Sequence, residues 1–163
     1  RTVLATLGNW EHSTCLSIEG LRDLYRKQGI RLMINESAIF DSAISIAAVD
    51  DACTGNALRD KTLDAFSGAE ANLFLTHSPG LLDLIPATAG RFDLALAGHT
   101  HGGQCRIGPF APYRPPCSGR FLSGWYEIPA GRAYVSRGTG TSVFPIRIAC
   151  RPELPIFTLR RRS

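Results

Sequence analysis

Three apolar runs of this chain each close on histidine, and that recurrence constrains the fold more than any other feature of the sequence. Phe92-Asp93-Leu94-Ala95-Leu96-Ala97 leads into Gly98-His99-Thr100-His101-Gly102-Gly103-Gln104, Asn72-Leu73-Phe74-Leu75-Thr76 leads into His77, and the run from Thr2 to Glu11 leads into His12. All 4 histidines of the chain are accounted for in this way. Short apolar runs read as buried strands. Histidines just past them lie at carboxyl ends of strands, where open α/β sheets build their sites. On an extended segment, residues two apart point to the same side, so His99 and His101 are read as serving one metal ion or two neighbouring ones.

Between these runs the chain alternates helix-like and strand-like segments. Ser17 to Gly29 reads as a helix with Ile18, Leu21, Leu24 and Tyr25 on one face, capped by Ser17 and ended by Gly29. Ile30 to Asn35 and Ala43 to Val49 read as strands, Asn56 to Phe66 as a helix, and Pro79 opens a short helix at Leu81 to Ile85. The final third changes character. A proline-rich loop from Gly108 to Pro116 precedes strands expected at Gly124 to Ile128, Ala133 to Ser136 and Pro155 to Leu159. The loop follows the histidine pair directly, so it is read either as a wall of a substrate cleft or as a crossover between sheets. There are no internal repeats.

Composition narrows the classes. The chain has 163 residues, 44% hydrophobic and 20% charged, enough apolar content for the core of one domain. Its 5 cysteines are odd in number and hold no Cys-x-x-Cys pair, which argues against a disulfide framework or a zinc knuckle and favours a reducing compartment. Of the +4 formal charge, Arg160, Arg161 and Arg162 supply most. The rest of the chain is nearly neutral, and with no basic helix face it offers no nucleic-acid surface. Three terminal arginines are compatible with weak contact to anionic headgroups. No apolar stretch is long enough to span a bilayer, so the chain is read as cytoplasmic or peripheral to the membrane.

Gly8-Asn9, then Thr76-His77-Ser78-Pro79, then Gly98-His99-Thr100-His101-Gly102-Gly103-Gln104 together resemble the calcineurin-like metallophosphoesterases. The likeness is greatest to their bacterial branch of YkuE-like phosphodiesterases and UDP-2,3-diacylglucosamine hydrolases. It continues through Tyr134-Val135-Ser136-Arg137-Gly138-Thr139-Gly140-Thr141-Ser142 and Pro145-Ile146-Arg147. The resemblance implies an α/β fold, the layered α-β-β-α sandwich of the metallo-dependent phosphatases. It also implies hydrolysis of a phosphomonoester, phosphodiester or pyrophosphate by a hydroxide shared between two divalent ions, Mn, Fe or Zn. In that scheme Asn9, His77 and His99 bind one metal and His101 the other. Arg137 and Arg147 are candidates for binding phosphate oxygens through a bidentate fork. A lipid-linked phosphoester is the branch's substrate by analogy.

Two departures shape the expectation. The family's Asp-x-His and Gly-Asp blocks are absent: no aspartate lies two residues before a histidine, and none of the 16 glycines precedes an aspartate. The residues 1–163 are therefore read as the C-terminal portion of a single metallophosphoesterase domain, incomplete at its N-terminus and inactive alone. The alternative is a non-catalytic metal-binding or ligand-binding remnant of that fold, and a cupin-like metal protein is a third, weaker reading. The second departure is Trp10, which stands where the family's histidine protonates the leaving oxygen; His12 is the candidate to take over. Glu11 is read as an acceptor or a solvated charge. Asp50 and Asp51 are hard-metal ligands by chemistry alone, without supporting spacing.

Overall fold

The computed structural model describes residues 2–40, 43–64, 69–87 and 92–160. A short parallel pair comes first: β1 (Val3–Ala5) and β2 (Ile30–Leu32) are joined through helix α1 (Ile18–Lys27). The helix begins where Ser17 accepts a hydrogen bond from the Gly20 N–H at 3.1 Å and ends before Gly29, whose φ of 72° a side chain would resist. Ile18, Leu21 and Tyr25 pack on Leu7 and Leu32, while Leu24 of the same expected face is exposed.

The remaining strands form one mixed sheet in the order β3 (Glu36–Phe40), β4 (Ile44–Ala48), β5 (Ala71–Thr76), β6 (Leu94–Ala97), β8 (Gly131–Val135), β7 (Gly124–Ile128). β4, β5, β6 and β8 are mutually parallel, and the two edge strands are antiparallel to their neighbours. This is an α/β arrangement with few helices: α2 (Arg59–Asp64) and 3-10 turns at Glu11–Ser13, Pro79–Leu84 and His101–Gly103 complete it. Its core gathers Ala47, Val49, Phe74, Leu82, Ala95, Phe121 and Val135. Small alanines on the central strands let Phe74 and Phe121 bury completely beside them.

Some expected elements differ. β3 was not foreseen. The helix expected over Asn56 to Phe66 begins later, as α2 at Arg59, and Ala65 and Phe66 lie outside the described residues, as do Arg161 and Arg162. The helix after Pro79 is a 3-10 turn. The strand expected at Pro155 to Leu159 joins no sheet: Leu154 and Ile156 are exposed, and Phe157 packs edge-on against Trp125 and Tyr134. All five cysteines are free thiols.

The sheet's polarity positions the site. The parallel strands β4, β5, β6 and β8 deliver Asp50, His77, Gly98 and Ser136 to one edge. The ladder continues past the strands through Gly98 N–H donating to the His77 carbonyl at 3.2 Å and Ser136 N–H to Ala97 at 2.8 Å. The Thr6 hydroxyl donates to the Val49 carbonyl at 2.5 Å, tying the end of β1 to the same edge.

Candidate metal centre

Asn9, His77 and His99 converge although they come from three separate loops. His77 Nε2 lies 2.9 Å from Asn9 Oδ1 and 3.0 Å from His99 Nδ1, and the two imidazoles meet edge to face. His99 Nε2 lies 2.7 Å from the Pro116 carbonyl. A carbonyl only accepts, so the His99 proton resides on Nε2 and the lone pair of Nδ1 faces inward. That is the disposition of a metal-ligating histidine, whose far nitrogen is fixed by a backbone acceptor.

Neighbouring groups hold these side chains. The His77 ring lies flat against Gly8: a Cβ there would stand 2.7–2.9 Å from Cε1, Nδ1 and Nε2. Glu11 accepts from the Gly8 N–H at 3.0 Å and from the Tyr25 hydroxyl at 3.3 Å, so it anchors the turn carrying Asn9. Asp51 is fully buried and accepts from the Ser78 hydroxyl at 2.5 Å, the Thr54 N–H and hydroxyl at 2.8 Å each, and the Cys53 N–H at 3.1 Å. Its oxygens are thus used in holding Ser78, next to His77. Burial pushes the Asp51 carboxyl up, but the hydrogen bonds from Ser78 and Thr54 outweigh it and hold the group below its ordinary value.

His99 and His101 do not lie on an extended segment. His99 has φ 69° and His101 φ 49°, and Thr100 between them is in the right-handed helical region. The Thr100 hydroxyl donates to the Leu122 carbonyl at 2.6 Å and accepts from the Gly102 N–H at 3.2 Å, curling the loop. His99 turns to His77, whereas His101 Nδ1 lies 3.4 Å from the Gly140 carbonyl. His77 is held below the usual histidine range by burial first and then by His99, with His101 adding a smaller effect. Burial lowers His101 as well, and Arg147 adds to it. Both imidazoles are therefore neutral at neutral pH, the form that binds metal.

The other expected site residues, His12, Arg137 and Arg147, each have partners within the protein. His12 Nε2 lies 2.6 Å from Asp50 Oδ1, joining the Glu11–Ser13 turn to the end of β4. Asp50 also accepts from the Asn56 N–H at 2.9 Å and the Asp51 N–H at 2.8 Å, so its oxygens too are engaged within the protein. Arg137 pairs with Glu153. Arg147 donates to the carbonyls of Arg137 at 2.7 Å, Gly140 at 2.5 Å and His101 at 3.0 Å. Arg147 uses all three guanidinium nitrogens on protein acceptors and Arg137 uses Nε and Nη2 on Glu153, so both brace the 137–150 loop beside His101. Sequence reasoning passed over Asp51 and Thr54 as a support. The signal was present, because an aspartate three residues before a threonine favours a self-bonded turn.

The donor set fits a divalent ion. Two neutral imidazole nitrogens and a carboxamide oxygen suit manganese, iron or zinc. The 2.9 and 3.0 Å spacings are hydrogen-bond distances that bring His77 Nε2 within reach of both other donor atoms. Among the described residues, no group of three or more His, Cys, Asp and Glu side chains gathers as a cluster able to hold a metal. Asn9 is what brings the present donors to three.

A cavity of about 500 Å³ opens beside Asn9, lined also by His101, Trp10, Tyr113, Val143 and Phe144; His77 and His99 are not among its lining residues. Pro112 of the proline-rich loop also lines it. No helix of the described residues is long and apolar enough to cross a membrane.

No family model matches the chain. No solved structure matches it. Over 120 residues, 73% of the chain, it is 34% identical to the metallophosphoesterase YkuE of Bacillus subtilis, covering 41% of that protein. It is 36% identical over 98 residues to the phosphodiesterase YaeI of Escherichia coli, covering 56% of the chain and 34% of YaeI. A metallophosphoesterase of Aquifex aeolicus is 28% identical over 167 residues, which cover 98% of the chain and 61% of that protein. The chain thus spans about half the length of the curated relatives it matches. Relatives named metallophosphoesterase, matched over 73% to 98% of the chain, support that family for it.

Proposed function

We propose that this chain is the C-terminal portion of a metallophosphoesterase domain of the layered α-β-β-α type, and that it carries part of a two-metal phosphoester-hydrolysing centre. The observation that carries the reading is the meeting of Asn9 Oδ1, His77 Nε2 and His99 Nδ1, with the outer nitrogen of His99 fixed by Pro116. These three residues hold one divalent ion, Mn, Fe or Zn, and His101 contributes to a second. When bound, such ions supply Lewis-acid activation of water and offset charge on the phosphoryl oxygens.

This chain's own residues bind and orient. Gly8 and Glu11 fix the Asn9 turn, Thr100 curls the loop so that His99 meets His77, and Asp51 holds Ser78 against displacement. His12 is the group for protonating the leaving oxygen, its imidazole oriented by Asp50 as a carboxylate orients a general acid–base histidine. Arg137 and Arg147 act by bracing the loop beside His101. The substrate is a phosphoester, for which the names of YkuE and YaeI are the guide; a lipid-linked ester and weak contact with a membrane surface belong to the same reading.

The test is metal content by elemental analysis together with hydrolysis of bis(p-nitrophenyl) phosphate in added manganese. Both are measured on this chain and on a version extended upstream with its native residues. The reading expects about two metals and turnover in the extended protein, with one metal or none and no turnover here. Absence of metal and turnover in both would make the donor cluster a structural feature and leave a non-catalytic binding domain.

A further inference from the structure

The cavity beside Asn9 and His101 has mostly apolar walls, although polar residues also line it. Gln104 donates from Nε2 to the carbonyls of Ser142 and Phe144, at 3.0 Å each, and accepts from the Ser142 N–H at 2.7 Å. Thr100 is engaged with Leu122 and Gly102. The large apolar side chains open to a ligand are Trp10, Tyr113, Val143 and Phe144, each more than half exposed. Among the described residues, none of the three aromatic rings packs on another ring, whereas Trp125, Tyr134 and Phe157 pack on one another.

The Val143 backbone gives a second, independent pointer. Its φ is 63°, a conformation that β-branched residues avoid. The Gln104 clamp on both neighbours holds it there and turns Val143 and Phe144 to the cavity side. Strain kept in place by specific side-chain bonds, next to a candidate reacting centre, marks a functional wall.

We infer that this cavity binds a flat, apolar aryl group attached to the phosphoryl group, so that the preferred substrates are aryl phosphoesters. The inference rests on the phosphoesterase reading for the position of the phosphate. Unused ring faces favour a planar group by stacking. The side chains of Val143 and Phe144 offer no hydrogen bonds to the edge of a nucleobase, which disfavours nucleotides against that wall. Gln104 is a positioning residue for the 142–144 wall.

The test is equilibrium binding read from Trp10 emission, as the difference between the parent and Trp10→Phe, in manganese-containing buffer. Probes are phenylphosphonate, hexylphosphonate, methylphosphonate, uridine monophosphate and benzyl alcohol. Phenylphosphonate is expected to bind about tenfold more tightly than methylphosphonate, and more tightly than the hexyl compound or the nucleotide. Val143→Gly fits the left-handed backbone and removes the wall, so it should keep the fold and lose part of the phenyl preference, leaving methylphosphonate unchanged. Equal binding of phenyl- and methylphosphonate overturns the inference, as does a preference for the hexyl compound or the nucleotide. If the phosphoesterase reading alone fails, benzyl alcohol and phenylphosphonate bind alike while methylphosphonate does not bind.

Discussion

Gly8→Ala should dismantle the donor cluster without touching a donor. Gly8 lies outside the left-handed region, so alanine carries no backbone penalty there, and the effect is purely steric. The added Cβ would stand 2.7–2.9 Å from three atoms of the His77 ring, where ordinary contact begins at 3.4 Å. The ring must retreat by about 0.5–0.7 Å, more than the roughly 0.5 Å tolerance of a preorganised site. Overpacking of this kind costs about 1–3 kcal/mol, which for a chain of this size lowers Tm by about 2–4 °C per kcal/mol. Zinc affinity, measured by competition with a chromophoric chelator, should fall by about 10- to 100-fold, as when ligand-orienting contacts are lost. Gly98→Ala is the matched control: it sits beside His99, yet a Cβ there meets nothing within 4 Å. Zinc affinity in Gly8→Ala equal to that in Gly98→Ala would refute the claim that contact with Gly8 sets the His77 position.

Ser17→Ala should cost about 1 kcal/mol in urea unfolding, because the Gly20 N–H loses its acceptor. Asp51→Asn should destabilise by about 2–4 kcal/mol, since an amide nitrogen replaces an oxygen that faces donors. Asp51 has a folded pKa below its unfolded one, so its contribution is present above pH of about 4 and lost as pH falls through the folded value. The acid limb of stability between pH 7 and 3 should therefore be flatter in Asp51→Asn than in the parent. Arg147→Lys cannot span the carbonyls of Arg137, Gly140 and His101. It should cost about 1–3 kcal/mol and raise hydrogen exchange across residues 138–148, and unchanged exchange would count against the bracing role.

Helix α1 was legible because its signals are local: Ser17 caps, Gly29 stops, and Ile18, Leu21 and Tyr25 recur at helical spacing. The central strands β4, β5 and β6 were legible for the same reason, as largely apolar runs, and β8 was expected from Ala133 on. β3 was not, since it is an edge strand whose residues are mostly half-buried and lack a clear alternation. Pro155 to Leu159 shows alternating burial and so reads as a strand, but it finds no edge to pair with. The convergence of Asn9, His77 and His99 could be anticipated from their places at strand ends. The turn between His99 and His101 could not, because it depends on Thr100 reaching Leu122, far along the chain. The same holds for Arg137 and Arg147, whose acceptors are Glu153 and scattered carbonyls.

The charge of the donor set leads to one more expectation. Asn9, His77 and His99 are neutral ligands, so a divalent ion held by them keeps its full charge. Glu11 and Asp51 act on His77 electrostatically, yet their oxygens are taken by Gly8, Tyr25, Ser78 and Thr54. A bound phosphonate would supply the negative charge that the protein ligands do not. Metal and phosphonate should then bind with positive coupling, and linkage requires the same factor in both directions. Zinc affinity of this chain should rise by roughly 5- to 150-fold at saturating phenylphosphonate, with phenylphosphonate affinity rising equally on adding zinc. Calorimetric titrations run in both orders measure the two factors. Independent binding of metal and phosphonate would mean that the anion does not reach the ion, and that the cavity and the donor cluster are separate features.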